Sequence, residues 1–297
     1  MLSPHALGAT LYVPATRQDL LAATTGAIPG ARSLVICLED AVRPDHIPMA
    51  EKNLAGMLID LPDDVQPMIY VRPRDLAMLT RLLGLVGIDR VQGFVLPKVT
   101  TDSLPRWLAL LTATTHEIMP TIEGQEAFDR SELAILRRQL AGWEHRTRAI
   151  RIGGNDILGA MGLRRSRYRT AYDTPLGDAI NAIAGTFIPS GLAVAAPVFE
   201  HFGNLDLLAQ EVERDLEHGL FTKTAIHPTQ INAIHDLYRP CDADVVEARN
   251  ILAENAPAVF GSRGSMCEPS THIGWARNII TRANAYGIAL AGDQLAA

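Results

Sequence analysis

The stretch SLVICLEDAV, residues 33–42, combines an apolar run with two acidic residues near its end. Its first part, Ser33–Leu38, has the length and the β-branched composition of a buried strand. Glu39 and Asp40 follow directly, so we expect both carboxylates at the carboxyl end of that strand. Apolar runs followed by charged residues recur along the chain, and this repetition is the basis of the fold prediction.

Seven further short apolar runs share this character. The other predicted strands are Thr10–Val13, Pro67–Val71, Val91–Leu96, His116–Ile122, Ala149–Ile152, Gly191–Pro197 and Thr222–Ile226. Apolar residues at helical spacing lie between several of them, in Asp75–Leu85, Ser131–Leu140 and Leu205–Leu216. Strands that alternate with helices predict right-handed βαβ units and a parallel sheet.

Eight such units predict closure into a (β/α)₈ barrel, the TIM-barrel fold. The chain has 297 residues, of which 47% are hydrophobic. This is enough for one barrel, which typically needs about 250 residues. An open doubly wound sheet is the alternative. The glycine-rich fingerprint of a dinucleotide-binding fold is absent after the first predicted strand, which favours the barrel.

The tail of the chain has a different pattern, so we predict a barrel over residues 1–240 and a C-terminal helical extension over 241–297. Asp242–Asn255 and His272–Ala285 are predicted helices. The segment PAVFGSRGSMCEPST, Pro257–Thr271, joins them and is rich in Gly, Ser and Pro. This composition predicts a mobile loop, for which a lid over the active site is one interpretation.

Charge and composition exclude several classes of protein. The net charge of −6 argues against nucleic acid as the main partner. No apolar stretch reaches the roughly 18 residues of a membrane span, and the first residues do not have the pattern of a signal peptide. Three cysteines without close metal-ligand spacing indicate reduced thiols, so we expect a cytoplasmic protein.

Charged residues follow five of the eight predicted strands, at the end where TIM barrels carry their active sites. Glu123 and Asp156 follow the adjacent fifth and sixth strands and are expected to converge. Two carboxylates with open coordination positions suit Mg²⁺, with Mn²⁺ as a substitute. The alternative for each residue alone is capping of the next helix or an ion pair with Arg72 or Lys98.

Three further positions are candidates for ligand contact. Arg72 ends the third strand, where a guanidinium could hold a carboxylate by two hydrogen bonds or pair with Glu39 or Asp40. Gly154 and Asn155 belong to a predicted turn where backbone can approach a ligand. The arginines that follow the sixth strand could bind phosphates, such as those of coenzyme A, or form a solvated loop. They are Arg164, Arg165, Arg167 and Arg169.

The order of these motifs resembles the citrate lyase β-subunit-like branch of the HpcH/HpaI aldolase superfamily. The matching segments are LYVPATR (Leu11–Arg17), CLEDAV (Cys37–Val42), YVRPR (Tyr70–Arg74), FVLPK (Phe94–Lys98), PTIEG (Pro120–Gly124), GGNDILGAMG (Gly153–Gly162) and KTAIHPTQI (Lys223–Ile231). The LEDAV and IHP-x-Q segments are the most specific, and the resemblance covers about residues 9–235.

The resemblance implies a Mg²⁺-dependent barrel, often trimeric or hexameric, that cleaves or forms carbon–carbon bonds. Many relatives act on coenzyme A thioesters. By motif, Glu123 and Asp156 would be the metal ligands and Arg72 would grip the keto-acid or its enolate. Glu39 and Asp40 would anchor waters and the metal shell.

This chain departs from the family pattern near its C-terminus. Thioester-acting relatives carry a lid Asp that assists acid–base chemistry from a neighbouring subunit, whereas Ser265–Pro269 offers Glu268. The sequence therefore predicts a metal-dependent carbon–carbon lyase for a keto- or hydroxy-acid, either free or as a coenzyme A thioester. The alternatives are an enzyme for pyruvate or phosphoenolpyruvate without coenzyme A, and a non-catalytic binding subunit.

Overall fold

The computed structural model describes residues 4–289. The chain folds into two compact units, of which the first ends at Asn232 and the second begins at Ala233. The first unit contains an eight-stranded parallel sheet with neighbouring strands in the order β7-β6-β5-β4-β3-β2-β1-β8. The strands are β1 (Ala9–Pro14), β2 (Ser33–Cys37), β3 (Met68–Arg72), β4 (Gly93–Leu96), β5 (Glu117–Ile122), β6 (Ile150–Ile152), β7 (Val194–Ala195) and β8 (Lys223–Ala225).

The sheet closes into a barrel next to β7. Ala196, directly after β7, forms a parallel bridge to Lys223 of β8. Its amide donates to the Thr222 carbonyl over 2.8 Å and its carbonyl accepts from the Thr224 amide over 3.1 Å. The prediction of a (β/α)₈ barrel with eight strands in this order is therefore confirmed, and the open sheet is excluded.

Helices follow every strand of the barrel. They are α1 (Leu20–Thr24), α2 (Ile47–Asp60), α3 (Leu76–Leu82), α4 (Leu104–Leu111), α5 (Arg130–Gln139), α6 (Gly154–Ala160), α7 (Pro175–Phe187), α8 (Leu205–Glu217) and α9 (Thr229–Leu237). Side-chain caps set several helix starts, since a side-chain oxygen before the first turn can accept from a free N–H group. Asp75 caps α3 by accepting from the Met78 amide over 2.7 Å, and Asp129 caps α5 by accepting from the Ser131 amide.

Alternate strand residues fill the interior of the barrel, as the period-2 geometry of a strand requires. One buried cluster combines side chains from five strands with two residues that precede β1 and β6: Leu7, Val35, Tyr70, Val95, Met119, Ala149 and Ala195. This packed layer fills the barrel interior. It holds the carboxyl ends of the strands in fixed positions, where functional side chains of TIM barrels lie.

The second unit is built from α10 (Asp242–Leu252), α11 (Pro269–Tyr286) and a hairpin of β9 (Phe260–Ser262) and β10 (Ser265–Cys267). The two helices share a core that includes Val245, Ile251 and Ile279. Both helices were predicted from sequence, with ends that differ by a few residues.

The segment between these two helices, which is predicted from sequence to be a mobile loop, contains a β-hairpin; its mobility and its role as a lid stay predictions. β9 and β10 pair in antiparallel register, with Ser262 opposite Ser265. The two central residues of the turn, Arg263 and Gly264, have φ values of 52° and 80°. Two positive φ values belong to the tight turns that match the twist of a hairpin. The Arg at the first position concealed this turn, because Asn or Asp is the usual residue there.

Within residues 4–289, no helix combines the length with the apolarity that a membrane crossing requires.

Candidate active site

A cavity of about 310 Å³ lies at the carboxyl ends of the barrel strands. It brings together six of the eight residues predicted for the site, namely Asp40, Arg72, Glu123, Gly154, Asn155 and Asp156. The other lining residues include Tyr12, Thr121, Arg151 and Thr224. Because parallel strands all present their carboxyl ends at one rim, residues separated by over 200 positions can line one cavity.

Glu123 follows β5 directly and is only 4% exposed. Its Oε1 accepts a hydrogen bond of 2.7 Å from the backbone N–H of Lys98. Lys98 has a φ of 48°, an uncommon conformation for a residue with a Cβ, and it aims its amide at this carboxylate. Burial raises the pKa of Glu123 to about 7, and the nearby charge of Asp156 adds to the shift.

Asp156 lies in the first turn of α6 rather than at the end of a strand. The predicted turn at Gly153–Asp156 is in fact the start of this helix. Burial raises the pKa of Asp156, and the charge of Asp40 acts in the same direction, whereas Lys98 and Arg72 oppose it. Glu123 and Asp156 line the same cavity, and the charge of Asp156 contributes to the raised pKa of Glu123.

Arg72, the last residue of β3, is buried in a network of polar groups. Its Nη2 lies 3.0 Å from Glu39 Oε2 and 3.4 Å from Asp40 Oδ2. Its Nε and Nη2 also contact the sulfur of Cys37 at 3.3 and 3.2 Å. Cys37 and Arg72 occupy paired positions of β2 and β3, which explains this contact. Arg72 therefore pairs with Glu39 and Asp40 and at the same time lines the cavity.

Glu39 is buried beneath this network and bridges two cations. Its Oε1 accepts from Lys98 Nζ over 2.8 Å, while its Oε2 accepts from the Asp40 amide over 2.8 Å. Burial raises the pKa of Glu39, and its hydrogen bond with Asp40 acts in the same direction. The arrangement holds the side chains of Arg72, which lines the cavity, and of Lys98 in place.

Gly154 and Asn155 line the cavity within the first turn of α6. The Asn155 amide nitrogen lies 3.5 Å from Glu200 Oε2. Arg164 also contacts Glu200, through its Nε at 2.9 Å. Arg165 is buried and pairs with the buried carboxylate of Glu211, so the solvated-loop interpretation is wrong for this residue.

Sequence reasoning missed four lining residues that point inward from the strands themselves. Tyr12 belongs to β1, Thr121 to β5, Arg151 to β6 and Thr224 to β8. The available signal was Arg151, a charged residue in the middle of the apolar run Ala149–Ile152. An inward charge inside a barrel strand is rare in a purely structural core, because burial of a charge is costly.

The donor set fits a magnesium ion with an open coordination sphere. Glu123 and Asp156 supply carboxylate oxygens, the ligands that Mg²⁺ prefers. Residues 4–289 contain no group of three or more His, Cys, Asp and Glu side chains arranged around one point. Two protein carboxylates leave the remaining positions to water and substrate oxygens, as is common for Mg²⁺.

Glu268 lies in the second unit, immediately before α11. Its Oε1 accepts a hydrogen bond of 3.0 Å from the Ser270 hydroxyl, and its amide contacts His272 Nδ1 at 3.1 Å. Its catalytic role stays a prediction.

Comparisons with known proteins agree with this description. A family model described as a C-C bond lyase of the TIM-barrel fold matches residues 1–288. A (3S)-malyl-CoA thioesterase of Cereibacter sphaeroides is 23% identical over 288 residues, which are 95% of this chain and 96% of the relative. A citrate lyase subunit beta-like protein of Deinococcus radiodurans is 25% identical over 278 residues, which are 88% and 89% of the two chains.

A similar solved structure is that of the Mycobacterium tuberculosis protein CitE in complex with magnesium, acetoacetate and coenzyme A. Its TM-score is 0.71 at 21% identity, with 93% of this chain and 98% of that chain covered. At this identity the likeness shows the shared fold.

Proposed function

Because the chain belongs to the C-C bond lyase family of the TIM-barrel fold, we propose that it cleaves or forms a carbon–carbon bond next to a carboxylate. The substrate is a keto- or hydroxy-acid, and Mg²⁺ is the metal, for which Mn²⁺ can substitute. The observation that carries the proposal is the pair of carboxylates, Glu123 and Asp156, in one cavity with the guanidinium of Arg72.

Glu123 and Asp156 would hold the metal. When bound, Mg²⁺ supplies Lewis-acid stabilisation of the negative charge that develops on the substrate oxygens. The buried position of Glu123 and the hydrogen bond from Lys98 orient one carboxylate before any ligand arrives. Such preorganisation is the usual source of electrostatic catalysis.

Arg72 would bind the substrate carboxylate or the enolate oxygen. Its Nε and Nη2 rest on Cys37, and Glu39 and Asp40 neutralise part of its charge. These contacts fix the guanidinium plane, so that little side-chain entropy is lost on binding. Through the same contacts, Glu39 and Asp40 would position Arg72 and the water shell of the metal, and Gly154 and Asn155 would contact the substrate.

The proton steps require a separate acid–base group. In the direction of cleavage, the substrate hydroxyl loses its proton as the new carbonyl forms. The electron pair of the broken bond passes to the enolate fragment, which is then protonated at carbon. We assign the transfer of this proton, which leaves the hydroxyl and is delivered to the enolate carbon, to Glu268, either in its own subunit or in a neighbouring one. Glu268→Gln should then reduce turnover while leaving Mg²⁺ affinity unchanged.

The substrate would carry a coenzyme A thioester, in keeping with the names of the relatives. One relative is a malyl-CoA thioesterase, and the complex of the mycobacterial protein contains coenzyme A. An enzyme that uses pyruvate or phosphoenolpyruvate without coenzyme A is the competing possibility. Incubation with pyruvate, oxaloacetate or glyoxylate, each with and without acyl-CoA partners, separates the two classes by product analysis.

The experiment that tests the metal site is calorimetry of Mg²⁺ binding to Asp156→Ala. We expect loss of measurable binding, while Asp63→Ala, which removes an exposed carboxylate paired with Arg90, should bind like the wild type. Unchanged Mg²⁺ affinity in Asp156→Ala would reject the assignment. Absence of both metal and keto-acid binding in the wild-type protein would favour a non-catalytic subunit.

Three properties complete the proposal. We propose a cytoplasmic location, supported by three free cysteines, Cys37, Cys241 and Cys267, within the described residues. We propose a homotrimer or homohexamer, on the basis of the family resemblance, and light scattering on the purified protein tests it. We also keep the boundary between the barrel and the C-terminal extension near residue 240 as a proposal, which limited proteolysis tests.

A further inference from the structure

Arg151 is a buried cation that forms no ion pair with any residue that the structure describes. It lies in the middle of β6 and is 1% exposed, yet it lines the cavity. Its Nη2 donates to the Thr224 hydroxyl over 2.7 Å and its Nη1 contacts the thioether of Met119 at 3.4 Å. Its Nε has no hydrogen-bond partner in the described part of the chain.

The contrast with Arg72 shows why this is unusual. Arg72 is also buried, but two carboxylates, Glu39 and Asp40, lie within 3.4 Å of it. Besides the ring of Tyr12, the contacts of Arg151 within the described residues are a hydroxyl and a sulfur atom, none of which carries a charge. A buried guanidinium that lacks a counter-charge is strongly unfavourable, so an anionic ligand is the natural partner for it.

A second unsatisfied group lies beside Arg151. Thr121 of β5 pairs directly with Arg151 of β6 in the parallel register, so both side chains point to the same side of the sheet. Thr121 is 4% exposed, lines the cavity, and its hydroxyl has no partner among residues 4–289. A hydroxyl and a guanidinium together can bind the oxygens of a carboxylate.

Tyr12 places this pair in the same cavity as Arg72. The guanidinium carbons of Arg72 and Arg151 lie 5.2 and 5.3 Å from the centroid of the Tyr12 ring. The cavity therefore contains two guanidiniums, of which Arg72 is already balanced by protein carboxylates. If a ligand has a single carboxylate and binds it at Arg72 and the proposed metal site, the positive charge of Arg151 is still not neutralised.

We propose that Arg151 and Thr121 bind a second free carboxylate on the keto-acid part of the substrate, the part that bears no thioester, and thereby select dicarboxylic keto- or hydroxy-acids over monocarboxylic ones. Arg151 is thus a specificity-determining residue. This inference rests on the proposed function for the placement of the first carboxylate. The binding of the second carboxylate can nevertheless be measured without any turnover.

Malate and lactate are the matched probes, because they are stable hydroxy-acids that differ by one carboxymethyl extension. Calorimetry in the presence of Mg²⁺ should give wild-type binding of malate that is roughly ten- to a hundredfold tighter than that of lactate. Arg151→Met should bring the ratio of the two affinities close to one, chiefly by weakening malate. Thr121→Val should reduce this ratio by a smaller factor, because it removes the hydroxyl and leaves the charge of Arg151 in place.

Arg146→Met is the control, because Arg146 donates to backbone carbonyls of Leu111 and His116, before the start of β5. Its malate-to-lactate ratio should equal that of the wild type. Thermal unfolding without ligand provides a second measurement. Arg151→Met should unfold at the same or a higher temperature than the wild type, because a buried unbalanced charge is removed.

Two results would overturn the inference. One is wild-type affinity for malate no greater than for lactate, including the case in which neither acid binds. The other is an unchanged ratio in Arg151→Met, which would mean that Arg151 serves the barrel core only. If Arg151→Met does not fold, the ratio of malate affinity to lactate affinity is measured in Arg151→Lys and Thr121→Val instead, and an unchanged ratio in both overturns the inference. The test of Asp156→Ala measures Mg²⁺ affinity, whereas this test compares two acids in a wild-type protein that binds Mg²⁺, so failure of the metal site and failure of this inference can be told apart.

Discussion

Gly153 and Glu123 approach each other so closely that a side chain at Gly153 cannot coexist with the observed carboxylate. A Cβ atom on Gly153 would lie 2.2 Å from Glu123 Oε2 and 2.3 Å from its Cβ. The space that Gly153 leaves open is the space in which the proposed metal ligand is held. Gly153 therefore has a steric role in the site.

Replacement of Gly153 by Ala should displace the Glu123 carboxylate and weaken Mg²⁺ binding by roughly tenfold or more, since a misplaced ligand loses its coordination. Gly159→Ala is the matched control, because Gly159 lies in α6, the helix that Gly153 precedes, and has nothing within 4 Å of its added Cβ. That control should keep Mg²⁺ affinity and gain slightly in thermal stability. Equal affinities of the two variants in calorimetry would contradict the role of Gly153.

The stability of the metal-free protein should fall as the pH rises through the pKa of Glu123. Burial raises this pKa from 4.5 to about 7, so the folded state binds the proton more tightly than the unfolded state. The stabilisation is complete below about pH 4.5 and is lost as the pH passes about 7. The free energy of unfolding should therefore differ by about 3 kcal/mol between the low-pH and the high-pH limits.

Glu123→Gln tests this prediction. We expect its thermal midpoint in the presence of a chelator to depend less on pH between 5 and 8 than that of the wild type. Added Mg²⁺ at pH 8 should raise the midpoint of the wild type and leave that of Glu123→Gln unchanged. Parallel pH curves for the two proteins would mean that Glu123 is not the group that titrates.

Removal of the Cys37 sulfur should loosen Arg72. Cys37→Ala deletes the atom that both Nε and Nη2 contact, so the guanidinium becomes less well oriented for a substrate carboxylate. We expect affinity for a keto-acid such as oxaloacetate to fall several-fold, with little change in Mg²⁺ affinity. Cys241→Ala removes a sulfur that accepts from the Asp244 amide in the second unit and is the control. A fall in keto-acid affinity in both variants would argue against a specific role of Cys37.

Lys223 should be essential for stability and not for chemistry. Its ammonium group is fully buried between Glu211 at 3.0 Å and Asp215 at 2.8 Å. Lys223→Met leaves these two carboxylates without this shared cation and should destabilise the protein by about 3–5 kcal/mol. Arg17→Met breaks the exposed pair with Asp19 and should leave the urea midpoint nearly unchanged. Similar midpoints for both variants would show that the buried network contributes little.

The sequence by itself determined the barrel, because the signal for it is local. Apolar runs of strand length alternate with helical spacing, and the charged residues that follow the strands must meet at one rim of a parallel sheet. This local pattern was sufficient to bring Arg72, Glu123 and Asp156 together. It also placed Asp156 at a strand end, where the structure has the first turn of α6, because helix starts at glycines carry little signal.

Tertiary structure alone decided what faces the interior of the cavity. Thr121 and Arg151 become neighbours through the register of β5 and β6, and Thr224 reaches Arg151 because the sheet closes from β8 back to β7. Neither register nor closure is encoded within one segment, since both depend on how separate strands pair. The ionic partners of Arg72, and the lack of one for Arg151 among residues 4–289, are for the same reason properties of the closed barrel.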